Sequence, residues 1–288
     1  MQPSSTTPFS RSVSVIIPTH NRWTSLCTAI DSVIEQTQPV HELFVVDDGS
    51  TDGTADKVAQ HYPSLHLIRQ DNHGVSHARN RAIERATGDW IALLDSDDRW
   101  YPEKLSRQLD ALQAAPRMRL CHCDEHWLRN GKRVNPRHKH RKQGGNIFEH
   151  CLPLCCISPS AVLIHRTLFN DVGLFDESLP ACEDYDLWLR ICARESVLYV
   201  DEALLEKTGG HADQLSQRYP AMDQYRLQAL AALLREHALT ESQRQQTQAM
   251  FRQKLTIFCN GARKRGRSDT VETLLLAYAD LLDSEHIL

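Results

Sequence analysis

Four short, almost continuous apolar runs occur in the first third of the chain, and amphipathic stretches separate them. The runs read VSVII, ELFVV, LHLI and WIALL. Uninterrupted apolar runs of this length are typical of parallel strands that are covered on both faces. The periodicity of residues 23–36 predicts a helix, and the segment from Asn72 to Gly88 predicts another that ends at a glycine. This alternation indicates an open α/β sheet built from βαβ units.

The pattern changes in the second half of the chain. Asn130 and Gly131 separate two extended segments, which is the strongest short-range signal of a β-hairpin. SAVLIH and SVLYV predict strands, CEDYDLWLRICAR predicts a helix, and the pattern is helical beyond about Tyr219. The predicted organisation is a disordered N-terminus at 1–11, a mixed α/β domain at 12–216 and a helical C-terminal region at 217–288. The helical region either packs on the domain or builds an oligomer, and its residues leave both alternatives open.

Composition and charge narrow the class of protein. The net charge of −4 and the pI near 6.4 argue against a chain built as a whole to bind nucleic acid or an anionic membrane. No apolar run approaches the roughly 18 residues that span a bilayer, and the first residues lack the apolar segment of a signal peptide. We therefore expect a cytoplasmic protein. Nine cysteines at irregular spacing indicate reduced thiols rather than a disulfide framework.

Two short segments carry the side chains that zinc prefers. These potential ligands are Cys121, His122, Cys123 and His126 in the first segment, and Cys151, Cys155 and Cys156 in the second. Neither segment contains a C-x-x-C pair. The alternation in LCHCDEHWL instead predicts a strand that sends Cys121 and Cys123 to one face. Packing of the thiols in the interior is therefore favoured over a zinc site.

Polar clusters follow the predicted strands at the edge where open α/β sheets bind ligands. The first strand leads into PTHNR, the second into DDGSTDGT and the fourth into DSDD. A dinucleotide or phosphate-loop site would need G-x-G-x-x-G or G-x-x-x-x-G-K-[ST] after the first strand, and IIPTHNRWTS has no glycine. The phosphates of a bound nucleotide must therefore be neutralised in another way.

Three carboxylates, those of Asp95, Asp97 and Asp98, repel one another directly after a buried strand. Mg²⁺ or Mn²⁺ is typically held by one or two protein carboxylates together with substrate phosphates, so such a cation would offset this repulsion. The alternative is that these residues form a turn or cap the helix that starts near Pro102, Asp98 in particular.

The motifs SVIIPTHNR, VVDDGSTDGT, HGVSHARNRAIERATGDWIALLDSDD and CEDYDLWLR occur in this order and spacing. Together they resemble the family 2 glycosyltransferases of the GT-A fold, over about Ser12 to Ser216. The resemblance implies an open mixed sheet, mostly parallel and flanked by helices. It also implies inverting transfer of a sugar from a nucleotide diphosphate donor, with a UDP-sugar expected, and dependence on Mn²⁺ or Mg²⁺.

The same resemblance assigns roles to single residues. The implied donor contacts are Pro18, Thr19, Asn21, Asp47, Asp48, Arg79, Asn80, Asp95 and Ser96. The implied metal ligands are Asp95, Asp97, Asp98 and His211. Asp184, which follows Glu183, is the implied general base. Three of these residues have an alternative role: Arg79 as an exposed helix arginine, His211 as a surface histidine, and Asp184 as an acid that only complements its helix dipole.

The acceptor and the partners are less constrained. The segment Arg129–Gly145 holds seven Lys or Arg and no acid. Its part Arg129–Lys142 would attract a phosphorylated or lipid-linked acceptor, or make peripheral contact with an anionic membrane; the alternative is a solvated loop. The acceptor is expected to be a glycan, a lipid-linked molecule or another hydroxyl compound. The alternative functions are a sugar nucleotidyltransferase and a non-catalytic protein that binds nucleotides or nucleic acid, although no nucleic-acid partner is expected.

Overall fold

A computed structural model describes residues 9–135, 140–210, 219 and 222–282. The strands are β1 Val13–Thr19, β2 Glu42–Asp48, β3 His66–Gln70, β4 Trp90–Leu93, β5 Arg99–Trp100, β6 Leu120–Arg129, β7 Lys132–Val134, β8 Val162–His165 and β9 Leu198–Gly209. The helices are α1 Trp23–Ile34, α2 Thr54–His61, α3 Val75–Ile83, α4 Lys104–Ala114, α5 Phe148–Cys151, α6 Thr167–Val172, α7 Glu183–Cys192, α8 Asp223–Glu236, α9 Glu241–Lys264 and α10 Ser268–Ala277.

The strands form one open sheet in the order β3-β2-β1-β4-β8-β6-β9-β5, and β7 pairs with β6. Strands β1 to β4 pair in parallel, whereas β8 runs antiparallel to both β4 and β6. Strand β7 forms a hairpin with β6 around Asn130 and Gly131, both at positive φ, which confirms the predicted turn. This mixed sheet with flanking helices confirms the predicted fold class.

The first strands are apolar throughout because helices cover both faces of the sheet. Along β1, Val15 and Ile17 pack in one cluster with α1, whereas Ile16 between them packs in the other cluster with α3. Cys121 and Cys123 share a face in the cluster on the α1 side, as the alternation of β6 predicts. All nine cysteines are free.

The helical C-terminal region packs on the α/β domain. Leu227 of α8 and Phe251 of α9 belong to the same buried cluster as Leu187 and Ile191 of α7. Helix α9 starts at a capping box in which Thr240 and Gln243 bond each other's backbone N–H. Of the two alternatives for this region, packing on the domain is therefore observed. No helix within the described residues has both the length and the apolar character needed to cross a membrane.

Part of the N-terminal segment lies against the sheet. The ring of Phe9 is 5.9 Å from that of Trp90, and the indole of Trp90 donates a hydrogen bond to the carbonyl of Ser10. Residues 1–8 of the segment predicted to be disordered lie outside the described residues. The domain boundaries at 11 and 216 stay predictions.

Candidate active site

The register of the parallel strands brings three polar loops to one edge of the sheet. Thr19 at the end of β1 pairs with Asp47 of β2, and Ile16 pairs with Leu93 at the end of β4. The loops that follow β1, β2 and β4 therefore meet, as their positions after predicted strands indicate. Pro18, the first residue of PTHNR, still lies within β1 and is buried.

A cavity of about 510 Å³ opens beside the end of β2, and Asp47, Ser50 and Arg69 contribute to its wall. Asp47 is only 4% exposed; its Oδ2 accepts a hydrogen bond from the Ser50 N–H, but its Oδ1 has no partner. The hydroxyl of Thr19 on the paired strand position is likewise buried without a partner. Buried polar atoms are normally hydrogen-bonded, so two unpaired oxygens at paired strand positions are unusual.

Asp48 has a different role from its neighbour. Its Oδ1 accepts from the Gln70 side chain at 2.7 Å and the His73 N–H at 2.9 Å, and its Oδ2 accepts from the Gly74 N–H at 2.9 Å. Gly74 has φ +93° and immediately precedes α3. Asp48 therefore holds the turn into α3 with three hydrogen bonds, and its role as a donor contact stays a prediction.

Asn21 joins two of the polar loops. Its side-chain oxygen accepts a hydrogen bond from the Thr51 N–H at 2.7 Å, and its own N–H donates to the Ser50 hydroxyl at 2.8 Å. Its φ of +53° lies in the left-handed region, which asparagine tolerates better than most residues. Asn21 thus shapes the rim beside the cavity, and direct contact with a donor stays a prediction.

Arg79 connects two acidic motifs that are far apart in the sequence. It is 2% exposed, and its guanidinium donates to Asp95 Oδ1 at 2.7 Å and to Glu183 Oε1 at 2.8 Å. The same group lies 5.1 Å from the Phe175 ring. These contacts exclude the alternative of an exposed helix arginine. The next residue, Asn80, uses its amide on the Phe175 backbone and the Glu177 side chain, so its role as a donor contact stays a prediction.

Each aspartate of DSDD has its own partner. Asp95 binds Arg79, as described, and Asp97 accepts from Arg22 at 2.9 Å. Asp98 is 3% exposed and accepts from the Ser160 hydroxyl at 2.6 Å and the Thr208 N–H at 2.8 Å. These partners offset much of the repulsion between the three carboxylates. Ser96 between them is also buried.

The burial of Asp98 changes its electrostatics. Desolvation raises its pKa, the Lys207 ammonium opposes that shift, and the neighbouring Asp97 and Asp95 carboxylates add to it. Asp98 is thus an interior link between β9 and the 158–161 turn, and its role as a metal ligand stays a prediction. Within the described residues, no three carboxylate, imidazole or thiol groups form a ready metal cage. His211 lies outside the described residues.

Asp184 lies half-buried in the first turn of α7. One of its oxygens accepts the Tyr185 N–H at 2.7 Å, and the other accepts the Cys155 thiol at 3.3 Å. Its neighbour Glu183 is instead buried and paired with Arg79. Burial and the Asp184 carboxylate raise the pKa of Glu183, and Arg79 opposes that shift. Glu183 is therefore held in an ion pair, whereas Asp184 has no basic side chain within 4 Å among the residues described.

The sequence motifs assign no role at this edge to three further residues, although Cys155 belongs to a segment that was considered as a zinc site. They are Ser160, which binds Asp98; Cys155, which contacts Asp184; and Lys207 of β9, whose ammonium donates to the Ser158 hydroxyl at 2.7 Å. Each lies outside the recognisable motifs. Only the pairing of distant strands and turns brings them to the site.

Comparison with known proteins identifies the family. The family model for glycosyl transferase family 2 matches residues 14–173, which is more than half of the chain. The chain therefore belongs to glycosyl transferase family 2. It contains an N-terminal sheet, an acidic loop after β4 and a helix α7 with an acidic first turn, which are the features that carry the resemblance in the sequence.

Proteins that are similar to this chain in sequence are described as glycosyltransferases. An uncharacterised glycosyltransferase of Rickettsia conorii is 33% identical over 195 residues, which cover 67% of this chain and 32% of that protein. The UDP-Glc:alpha-D-GlcNAc-diphosphoundecaprenol beta-1,3-glucosyltransferase WfgD of Escherichia coli is 32% identical over 185 residues, 62% of this chain and 69% of that protein. The chain thus spans about a third of the length of the Rickettsia conorii relative.

Solved structures support the fold. TarS 1-349 of S. aureus in complex with UDP-GlcNAc has a TM-score of 0.73 at 23% identity and covers 94% of this chain and 80% of its own. The mannosyltransferase PcManGT of Pyrobaculum calidifontis, in complex with GDP-Man and Mn2+, has a TM-score of 0.58 at 20% identity and covers 95% and 81%. At these identities the likeness establishes the architecture alone.

Proposed function

We propose that this protein is an inverting glycosyltransferase that moves a sugar from a UDP-sugar to an acceptor hydroxyl. The observation that carries the proposal is the position of Arg79, which ties Asp95 of the acidic loop to Glu183, next to Asp184. One guanidinium thereby holds a carboxylate suited to the leaving diphosphate close to a carboxylate suited to the incoming hydroxyl. Membership of the family favours this function over a nucleotidyltransferase or a non-catalytic nucleotide-binding protein.

The nucleotide is assigned to the cavity at the end of β2. Asp47 Oδ1 and the Thr19 hydroxyl, both buried and without partners, would accept the N–H of a pyrimidine base or a ribose hydroxyl. A hydrogen bond from a ligand to a carboxylate is charge-assisted and therefore strong. The UDP-GlcNAc bound to TarS and the UDP-Glc in the name of WfgD support a uridine nucleotide.

The metal is assigned to the side of the acidic loop that faces the donor. Asp95 keeps its Oδ2 free of hydrogen bonds within the described part of the chain, and Asp97 is partly exposed beside it. An oxygen-only ligand set of one or two carboxylates suits Mg²⁺ or Mn²⁺. When bound, the cation would supply Lewis-acid stabilisation of the diphosphate. The presence of Mn2+ in the PcManGT complex supports this assignment.

The base is assigned to Asp184. Inversion requires that the acceptor hydroxyl loses its proton as it attacks the anomeric carbon from the face opposite the diphosphate. Asp184 is half-buried and forms no direct ion pair among the described residues. The proton passes to Asp184 while the bond from the anomeric carbon to the diphosphate oxygen breaks.

The acceptor is assigned only by class, as a glycan or a lipid-linked hydroxyl compound. The acceptor in the name of WfgD, a GlcNAc diphosphate lipid, supports this class. The basic segment Arg129–Lys142 was predicted to contact an acceptor or a membrane. Not all of its charges are exposed, because Lys142 is buried in an ion pair with Glu125 at 2.8 Å. Lys132 and Arg133 remain exposed, and residues 136–139 lie outside the described residues. The cytoplasmic location and the peripheral contact with a membrane both stay proposals.

Removal of divalent cations is expected to weaken UDP binding by about tenfold or more, because the diphosphate then meets Asp95 and Asp97 without a bridging charge. Calorimetry with UDP in manganese and in EDTA measures the effect, and the transfer of sugar from UDP-sugars tests the function itself. Asp97→Asn should reduce the gain from manganese. Asp110→Asn, which changes an exposed aspartate in α4, should leave it intact. Equal affinity in manganese and EDTA would exclude the metal bridge.

Asp47→Ala is expected to weaken UDP binding by about ten- to a hundredfold, the value of one charge-assisted hydrogen bond. Asp48→Ala instead leaves the N–H groups of His73 and Gly74 without their acceptor, so it should lower the free energy of unfolding by about 1–3 kcal/mol. Titration with UDP and denaturant unfolding of both variants separate the two effects. Wild-type affinity for UDP in a folded Asp47→Ala variant would show that the nucleotide lies elsewhere.

A further inference from the structure

The basic side chains of the candidate site differ in whether they are paired with a carboxylate. Arg22 is paired with Asp97, and Arg79 is paired with both Asp95 and Glu183. Lys207 has no carboxylate within 4 Å in the part of the chain that the structure describes, and its ammonium makes one hydrogen bond, to the Ser158 hydroxyl. An ammonium has three donors, so two of them have no protein acceptor there.

Lys207 lies between the two halves of the proposed chemistry. On one side, the backbone N–H of the next residue, Thr208, binds Asp98 of the acidic loop. On the other side, Ser158 belongs to the short segment that starts at Cys155, whose thiol contacts Asp184. These contacts bring the Lys207 side chain between the acidic loop and the first turn of α7.

The charge around Lys207 agrees with this position. The carboxylates of Asp98, Glu125, Asp95 and Asp184 all raise its pKa, although burial opposes them. Asp95 and Asp98 lie in the acidic loop, Asp184 lies in α7 and Glu125 lies in β6, so the carboxylates that act on the ammonium come from three separate parts of the fold. The Lys207 side chain is therefore protonated at neutral pH.

We propose that Lys207 is a catalytic residue that contacts a phosphate oxygen of the donor and stabilises the charge of the leaving diphosphate. This inference rests on the proposed function. In the transfer step, the acceptor oxygen forms a bond to the anomeric carbon and its proton goes to Asp184. The bond from that carbon to the diphosphate oxygen breaks, and its electron pair stays on the diphosphate. The unused donors of Lys207 would stabilise the negative charge that develops on the leaving diphosphate.

The test compares ligands that differ only in phosphate. Uridine and UDP share the base and ribose, so a contact to the diphosphate alters the affinity for UDP and leaves that for uridine unchanged. Lys207→Met is expected to lower UDP affinity by about ten- to a hundredfold and uridine affinity by less than about twofold. Lys207→Arg keeps the charge and should restore most of the UDP affinity. Lys264→Met, at an exposed position near the end of α9, is the matched control.

Three results would overturn the inference. The first is a folded Lys207→Met variant that prefers UDP over uridine as strongly as the wild type does. The second is an equal loss of both affinities, which indicates a purely structural role. The third applies if Lys207→Met does not fold. Lys207→Gln, which can still donate to Ser158, is then measured instead, and an unchanged preference of this variant for UDP over uridine would overturn the inference. A wild-type protein that neither binds UDP nor transfers sugar would overturn the proposed function itself, whereas normal wild-type transfer with an unaffected Lys207→Met variant would overturn only the role of Lys207.

Discussion

Asp184→Asn is expected to lower the turnover of sugar transfer by about 10² to 10⁴, which corresponds to ~3 to 5 kcal/mol of barrier. The amide keeps the shape of the side chain and an oxygen that can accept the Tyr185 N–H, and its NH2 group can donate to the Cys155 sulfur in place of the second oxygen. It cannot accept a proton from the acceptor hydroxyl. Donor affinity should change little, because the base acts on the acceptor. Rapid-quench transfer assays and UDP titration on the same preparation measure both quantities.

The helix dipole offers the competing account of Asp184. If the carboxylate only complements the N-terminus of α7, its loss should cost about 0.3–1 kcal/mol of stability and leave the turnover per folded molecule nearly intact. Asp269→Asn makes the same change in the first turn of α10, so it measures the dipole effect alone. Near-normal transfer by the Asp184→Asn variant would remove this residue from the mechanism.

Arg79→Met is expected to lower the free energy of unfolding by about 3–5 kcal/mol, because it leaves the buried carboxylate of Glu183 and the partly buried one of Asp95 without their cation. The side chains of Arg79 and Glu183 are 3% and 6% exposed, so water cannot replace the lost partner. Adding Glu183→Gln to the variant removes one of the two stranded charges and should recover part of the loss. Urea unfolding of the single and double variants measures the difference.

The matched control for this prediction is Arg69→Met. Arg69 is paired with Asp56, but the two side chains are 52% and 79% exposed. Exposed ion pairs typically contribute about 0–1 kcal/mol, so this change should be nearly silent. A loss below about 1 kcal/mol in Arg79→Met as well would mean that the buried pairs do not hold the site together.

The strands that the sequence predicts best are the central ones. The apolar runs before PTHNR, DDGST and DSDD are buried on both faces, and this burial is visible as an uninterrupted pattern. The apolar pattern in the sequence is weaker at the opposite edge of the sheet, where β9 and β5 lie. Strand β9 extends to Gly209 although only SVLYV predicts it, and β5 has two residues, because pairing with a neighbour rather than local composition makes them strands.

The sequence by itself determined the family, the parallel sheet and the three polar loops, because all of these are carried by local periodicity and by motifs in order. It placed Asp47 and Asp48 alike among the donor contacts, and it named Asp184 rather than Glu183 as the base only through the resemblance, since the members of each pair are chemically alike neighbours. Only the tertiary structure shows which partners these side chains have, because the partners lie far along the chain: Gly74 for Asp48, and Arg79 for Glu183. The residue that the sequence left unmarked, Lys207, reaches the site for the same reason, since strand pairing rather than sequence proximity brings its charge there.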